Sequence, residues 1–237
     1  MDFSTVLIDW YEQNKRDLPW RKTKNPYYIW LSETILQQTR VNQGINYYYS
    51  FIEKYPTIHD LAKAELDDVL KLWQGLGYYS RAVNLHQTAK IISAQYDGKI
   101  PIDYPTLLKL KGIGEYTASA IVSFVSNQPY PVIDGNVYRV LSRIFGIEDC
   151  IDTQNGKKTF KQLATKLLDK ENASVYNQAI MEFGAIQCKP KSPNCEECIF
   201  RSYCYAFSNK KVELFPLKKS KTKATRDSTK KVYMMNK

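Results

Sequence analysis

Four cysteines near the C-terminal end of the chain constrain its structure more than any other feature. Cys188, Cys195, Cys198 and Cys204 are separated by six, two and five residues, and the sequence contains only one other cysteine. Met1 leads into an amphipathic, charged segment rather than a secretory signal, so we expect a reducing compartment, where clustered thiols usually bind a metal. Structural zinc sites commonly combine two close Cys or His pairs, whereas this loop contains one such pair. The spacing favours an iron–sulfur cluster modestly over zinc and leaves both open.

The positive charge of the chain is concentrated in its last residues. The formal net charge is +10 with a pI of about 9.2, which favours a polyanionic partner. Residues 210–237 hold ten Lys and Arg against two acidic residues, which leaves a net charge of +2 for residues 1–209. Such a basic run is typical of a solvated linker, so nucleic-acid binding has to be inferred from motifs. No apolar run approaches the roughly 18 residues that span a bilayer, so we expect a soluble protein without a membrane partner.

Helical periodicity covers most of the sequence. Apolar residues recur at helical spacing between residues 3 and 183, Gly and Pro lie at the joins, and alternating strand patterns are absent. The pattern therefore predicts an all-α fold. After Phe215 the sequence becomes rich in Lys, Ser and Thr, so we expect the folded part to end near Asn209.

A glycine-containing turn joins two predicted helices near the middle of the chain. A short helix around Pro105 is expected to run into Gly112, Ile113 and Gly114, and a longer helix is expected to begin near Glu115. Glycine allows a sharp turn, and the unpaired N–H groups at the start of the second helix can bind a phosphate oxygen. This is the logic of a helix-hairpin-helix, which grips the DNA backbone without reading sequence, but an ordinary helix–helix turn explains the pattern equally well.

Two acidic residues are candidates for chemistry. Asp134 precedes a strongly periodic helical segment, so it is an N-cap by position, and a carboxylate fixed there is expected to stay ionised and to face a developing positive charge. Glu33 lies in a largely apolar helix, on one face with Trp30 and Gln37. Most glutamates on helices are solvated, but these neighbours predict a desolvated carboxyl group with a raised pKa suited to proton transfer.

Together these features resemble one family. A helix-hairpin-helix, an aspartate about twenty residues later and a closing four-cysteine loop are the pattern of the helix-hairpin-helix DNA glycosylases related to endonuclease III. Within that superfamily the chain looks like the adenine DNA glycosylases, the MutY family, from residue 3 to about 216. The motifs that carry this resemblance are Leu18-Pro-Trp-Arg21, Trp30-Leu-Ser-Glu-Thr-Ile-Leu-Gln-Gln-Thr39, Leu72-Trp-Gln-Gly-Leu-Gly-Tyr-Tyr-Ser-Arg81 and Ile133-Asp-Gly-Asn-Val-Tyr-Arg139.

The resemblance implies two helical lobes with a DNA-binding cleft between them. Residues 22–130 would form a six-helix barrel with the hairpin, and residues 1–21 would join residues 131–209 around a [4Fe–4S] cluster held by the four cysteines. Residues 210–237 would be a basic linker. Full-length members continue into a domain that recognises 8-oxoguanine, and we expect this domain to be absent because the chain stops where its first strand should begin.

The resemblance also implies a monofunctional DNA glycosylase of base excision repair. Such an enzyme flips out adenine mispaired with 8-oxoguanine or guanine and hydrolyses its N-glycosidic bond. Glu33 would protonate the base, Asp134 would stabilise the cationic sugar, and Asn136 would help hold the constellation. Tyr116 occupies the position of the Schiff-base lysine of the lyase members, and we expect its hydroxyl to bond near Asp134 or the sugar.

Further residues are expected to bind the substrate, which is double-stranded DNA containing a mispaired adenine. Gln38 and Tyr78 would wedge into the duplex, and the hairpin glycines would approach its backbone. The adenine pocket would be lined by Trp20, Arg21, Trp30 and Gln37. Core packing is an alternative explanation for the two tryptophans, and ordinary surface polarity is the alternative for Arg21 and Gln37. We expect a monomer in the bacterial cytoplasm, associated with the nucleoid.

Two other functions compete with adenine excision. Thymine-mismatch glycosylases share the hairpin tyrosine, the aspartate and the cluster. The motif of this chain that contains Glu33 argues against that function. The chain could also be an iron–sulfur DNA-binding module without catalysis.

Overall fold

The structure is a computed structural model that describes residues 2–219, and within them it consists of helices joined by short loops, without a strand. The predicted all-α fold is confirmed. The α-helices of this part of the chain are α1 (Phe3–Asn14), α2 (Pro26–Ile35), α3 (Val41–Lys54), α4 (Ile58–Lys63), α5 (Leu66–Leu72), α6 (Ser80–Gln95), α7 (Tyr104–Leu107), α8 (Glu115–Ser126), α9 (Gly135–Phe145), α10 (Gln154–Leu167), α11 (Ala173–Glu182) and α12 (Tyr205–Ser208). Short 3₁₀ turns span Pro19–Arg21 and Arg201–Tyr203, and a π-helix spans Phe183–Gln187. None of the helices in residues 2–219 is both long and apolar enough to cross a membrane.

The buried apolar side chains form two clusters. The first cluster runs from Tyr27 to Val132. The second contains Leu7 and Tyr11 of α1 together with side chains from Val137 to Phe215, because α1 packs against α11. This division supports the two predicted domains, whose limits stay a prediction. Seven helices, α2 to α8, lie between residues 22 and 130, and the six-helix barrel stays a prediction.

The expected end of the folded part near Asn209 is wrong. Phe215 is buried in the second cluster, and its carbonyl oxygen accepts a hydrogen bond from Arg143 Nε at 3.3 Å. The backbone N–H of Ile151 donates to the carbonyl of Leu217 at 3.0 Å. Apolar side chains among the lysines therefore anchor residues 210–219 to the fold. The predicted linker beyond residue 219 lies outside the described residues.

Helix packing brings three parts of the chain together between the clusters. α2 packs against α8, and α11 packs against α8 and α9. Met181 of α11 contacts both clusters. The middle of α2, the start of α8 and the start of α9 consequently meet where the two clusters adjoin.

Candidate active site

The predicted hairpin is present. α7 ends at Leu107 and α8 begins at Glu115. Gly112 has φ +79°, and a Cβ there would lie 2.8 Å from the Cβ of Asn84, so the turn requires glycine. Gly114 is the N-cap of α8, and a Cβ there would meet nothing within 4 Å. The start of α8 is therefore open to an approaching anion.

Glu33 is buried at the meeting point of the helices. Its side chain is 5% exposed, and the Tyr116 hydroxyl donates to its Oε2 at 2.5 Å. Desolvation raises the pKa of Glu33 to about 7, while the Tyr116 hydrogen bond lowers it, the Asp134 carboxylate raises it and Arg21 lowers it. The burial predicted from the apolar surroundings is confirmed. The Tyr116 hydroxyl reaches Glu33 because α8 packs directly on α2, and Asp134 is close enough to raise the pKa of Tyr116 as well, so a bond near Asp134 or the sugar stays a prediction.

Asp134 is the N-cap of α9, as its position predicted. Its Oδ1 accepts hydrogen bonds from the backbone N–H groups of Asn136 and Val137 at 2.9 and 2.8 Å, and its Oδ2 accepts from Asn136 Nδ2 at 2.6 Å. Desolvation raises the pKa of Asp134, against these hydrogen bonds, which lower it. Burial thus works against the ionised state that the helix start favours. Asn136 is tied in turn to Arg139, whose Nη2 donates to its Oδ1 at 2.8 Å.

A small cavity lies against Glu33, but only part of the predicted adenine pocket lines it. Its volume is about 50 Å³, and Trp20 and Arg21 contribute to its wall. Trp30 is fully buried and lines a separate cavity with Gln37 and Gly112. Packing therefore accounts for Trp30, and the substrate roles of all these residues stay predictions.

The two predicted wedge residues lie on exposed, unusual backbone. Gln38 and Tyr78 have φ +56° and +46°, and 64% of Tyr78 is exposed. Arg81 ties the two turns together, because its guanidinium donates to the carbonyl oxygens of Gln37 at 2.6 Å and Leu76 at 3.2 Å. Non-glycine residues with positive φ persist where surrounding contacts hold them, and they cluster at functional sites.

Two of the four cysteines contact Arg143. Arg143 Nη1 donates to Cys188 Sγ at 3.5 Å, and Cys204 Sγ donates to the Arg143 carbonyl at 3.4 Å. Arg143 also donates to the carbonyls of Lys189 and Pro190 at 2.7 and 3.0 Å, which shapes the loop.

The thiols of this loop form the donor set of a cluster. All four are free of disulfides, and burial raises the pKa of Cys198 to about 11, with the neighbouring thiols adding to the rise. Within residues 2–219 no three His, Cys, Asp or Glu side chains converge on a position for a single metal ion. A cubane binds four thiolates, one on each iron, which is the number of cysteines in this loop.

Several buried charged residues of the site escaped sequence reasoning. Arg81, Arg139 and Arg143 are at most 9% exposed, and Glu182 is 1% exposed. Arg81 and Arg139 lie within two of the sequence motifs that resemble the adenine DNA glycosylases. Such a motif does not indicate which carbonyl oxygens its arginine will bind. An isolated acid in the apolar run Ile180-Met-Glu-Phe183 is the signal that could have identified Glu182.

Two protein families have models that match this chain. Residues 31–169 match the model of the HhH-GPD superfamily base excision DNA repair protein, and residues 188–204 match the iron–sulfur binding domain of endonuclease III. The second match confirms the predicted [4Fe–4S] cofactor and covers the four-cysteine loop, whose individual ligands Cys188, Cys195, Cys198 and Cys204 stay a prediction.

Adenine DNA glycosylases are among the relatives. The protein of Buchnera aphidicola subsp. Schizaphis graminum is 40% identical over 220 residues, which cover 92% of this chain and 63% of the relative. The human protein is 41% identical over 213 residues, which cover 86% of this chain and 39% of the relative. The chain thus spans less than two thirds of the length of these relatives.

Solved structures share the fold. A thermostable thymine-DNA glycosylase superposes with a TM-score of 0.80 and 28% identity, covering 87% of this chain and 95% of the other. A non-covalent endonuclease III–DNA complex superposes with a TM-score of 0.74 over 87% of this chain and 95% of the other, at 23% identity, which shows the fold alone. The chain therefore belongs to the HhH-GPD superfamily of base excision DNA repair proteins, within which it resembles the adenine DNA glycosylases.

Proposed function

We propose that this chain is a monofunctional DNA glycosylase that removes adenine mispaired with 8-oxoguanine or guanine. The observation that carries the proposal is the buried pair of Glu33 and Tyr116 beside Asp134. Cleavage of a glycosidic bond needs an acid for the leaving base and a carboxylate for the cationic sugar. Two carboxyl groups in different environments can divide these roles.

Glu33 is suited to be the acid. A pKa of about 7 keeps a large fraction of the carboxyl group protonated at neutral pH. Because the Tyr116 hydroxyl donates to Oε2, the proton of Glu33 belongs on Oε1, which is free to face the base. Transfer of this proton to adenine N7 makes the base a neutral leaving group. The resulting carboxylate then accepts a proton from the attacking water.

Asp134 is suited to stabilise the sugar. Three hydrogen bonds from Asn136 and Val137 orient its carboxylate before the reaction, so little reorganisation accompanies the development of positive charge. Tyr116 has a phenol where a lyase has an amine, so it forms no Schiff base with the sugar. We therefore expect base release to leave an abasic site in an intact strand.

The proposed substrate is double-stranded DNA, from which the adenine must be flipped out. The exposed turns of Gln38 and Tyr78 are placed to wedge into the duplex and to offset the lost stacking. The open start of α8 at Gly114 is suited to a backbone phosphate. We propose that the protein binds as a monomer in the bacterial cytoplasm, at the nucleoid, through two domains that divide at residues 21–22 and 130–131.

A thymine-mismatch glycosylase is the second candidate. The superposition on a thermostable thymine-DNA glycosylase favours it. The buried acid beside Tyr116 favours adenine, because protonation of a purine nitrogen is a direct use for a carboxyl group with a raised pKa.

One assay separates the candidates. Duplexes containing 8-oxoguanine:A, G:A or G:T are incubated with excess protein, and strand cleavage is measured with and without alkali. We expect alkali-dependent cleavage at adenine in both adenine duplexes. Release of thymine alone would replace the first candidate with the second, release from no duplex would leave a binding module, and cleavage without alkali would contradict the monofunctional mechanism.

The hairpin provides a separate test of DNA binding. Gly114→Ala adds a methyl group that meets no protein atom within 4 Å, so we expect unchanged thermal stability and several-fold weaker duplex binding. Unchanged duplex affinity, measured by fluorescence anisotropy at fixed salt, would contradict contact at this turn.

A further inference from the structure

Glu182 is a second buried glutamate beside the proposed active site. It is the last residue of α11, follows Met181, which contacts both hydrophobic clusters, and is 1% exposed. A buried carboxylate is costly unless its oxygens are paired. Its partners therefore indicate why this position holds an acid.

Two arginines from the segment before α2 surround Glu182. Oε1 accepts from the backbone N–H of Arg16 at 3.0 Å and from its Nε at 2.8 Å. Oε2 accepts from Arg16 Nη2 and from Arg21 Nη2, both at 2.7 Å. The carboxylate thus bridges two guanidinium groups in charge-assisted hydrogen bonds.

Arg21 connects this cluster to Glu33. Its Nη1 donates to the Arg16 carbonyl at 3.0 Å, so both ends of its guanidinium are held. Its side chain is 15% exposed and lines the same small cavity as Glu33. A positive charge on this wall favours the ionised form of Glu33, which is the wrong form for an acid.

We propose that Glu182 is a positioning residue of the active site: it holds Arg21 at the wall of the cavity and balances its charge, so that Glu33 keeps its proton at neutral pH. The proposal deepens the proposed function, because it explains how the acid remains protonated beside an arginine. Arg21 is then available to the substrate as a hydrogen-bond donor whose charge is partly compensated, because Arg16 shares the same carboxylate.

Among the other charged groups around Glu33, Asp134 also opposes the effect of Arg21, but none of them is hydrogen-bonded to Arg21. Tyr116 of α8 lowers the pKa of Glu33 by its hydrogen bond, and Asp134 at the start of α9 raises it. From α6, Arg81 donates to the carbonyl oxygens of Thr34 and Ile35. From α3, the uncharged Gly44 packs on Ile35 and Leu36. Glu182 is thus the acid in direct contact with Arg21.

The test is Glu182→Gln in the full chain, because glutamine keeps the shape and removes the charge. We expect the pKa of Glu33, measured by ¹³C NMR titration of its carboxyl carbon, to fall by about one unit. The basic limb of the pH profile of single-turnover adenine excision should move down by the same amount, while the rate at its acidic plateau is retained. Glu12→Gln is the matched control, since Glu12 lies near Arg16 but is 51% exposed and pairs with Lys15. It should shift neither quantity.

A second variant covers the case in which Glu182→Gln does not fold. Arg21→Gln removes the positive charge itself, so the pKa of Glu33 should rise. A midpoint unchanged in both variants, or a Glu182→Gln rate lowered equally at every pH, would show a structural role only and overturn the proposal. The NMR titration needs no excision, so a chain that releases no adenine but shows both shifts would refute the proposed function and keep the charge balance.

Discussion

Glu33 and Glu182 are both buried glutamates, yet their pKa values are shifted in opposite directions from the ordinary value. Both lie in apolar stretches of helix, at 5% and 1% exposure. Desolvation raises the pKa of Glu33 to about 7. Desolvation also raises the pKa of Glu182, but hydrogen bonds from Arg16 and Arg21 outweigh it and lower the pKa to about 2. Burial makes a carboxyl group unusual, and its partners decide the direction.

The difference separates two tasks between the clusters. Glu33, paired with one hydroxyl group, can change its protonation state near neutral pH. Glu182, paired with four N–H donors, remains an anion throughout the physiological range and serves as a permanent charge. If both glutamates were paired as Glu33 is, no anion would offset the charge of Arg21. If both were paired as Glu182 is, no carboxyl group would hold a proton for transfer.

The largest expected effect is the loss of excision in Glu33→Gln. Because glutamine has no proton to transfer at this position, adenine release should fall by about a thousandfold. Duplex binding should be retained, since Glu33 is buried and the Tyr116 hydroxyl keeps an acceptor. Single-turnover excision from an 8-oxoguanine:A duplex measures the rate, with the exposed Glu53→Gln as the matched control. Excision at the normal rate by Glu33→Gln would remove Glu33 from the acid role.

The next largest expected effect is on the free energy of unfolding, which substitution of the two glutamates should change in opposite directions. The folded-state pKa of Glu33, about 7, lies above its ordinary value of 4.5, so its contribution is fully present below pH 4.5 and is lost as pH rises through 7. At pH 8, Glu33→Gln should therefore raise the free energy of unfolding by on the order of 3 kcal/mol. Glu182→Gln should lower it by about 3 kcal/mol, because two arginines lose their partner.

Urea unfolding of both variants at pH 8 and pH 5 measures this contrast. The gain in Glu33→Gln should fall to roughly a quarter of its pH 8 value at pH 5, where the carboxyl group of the folded wild-type protein is mostly protonated. Destabilisation by both substitutions at pH 8 would mean that the two environments are alike.

The smallest expected effect is a shift of the pH profile in Tyr116→Phe. Loss of the hydrogen bond that lowers the pKa of Glu33 should raise this pKa and move the basic limb of excision up by about one unit, opposite to the shift expected in Glu182→Gln. Tyr47→Phe, which removes a hydroxyl bonded to the Gln74 carbonyl, is the matched control. A downward shift in Tyr116→Phe would contradict the assigned direction of this hydrogen bond.

Features that depend on neighbouring residues were predictable. The cap at Asp134, the glycine turn and the burial of Glu33 follow from side chains within a few positions of each other. Features that depend on distant contacts were not. Helical spacing placed Trp30 and Gln37 on the face of Glu33, but the wall of its cavity includes Phe124 of α8 and Gln178 of α11, which no local pattern indicated. Phe215 was assigned to the linker because its own neighbourhood is polar and basic, while its burial depends on the second cluster.

The sequence by itself determined the helices, the hairpin, the cap of α9 and the cysteine spacing of the cluster loop, because each depends on contacts within a turn or a short loop. Only the tertiary structure decided which buried glutamate holds a proton. Tyr116 reaches Glu33 from 83 positions away, and Arg16 reaches Glu182 across 166 positions. Electrostatic energy depends on separation in space and on burial, and neither is readable along the chain before it folds.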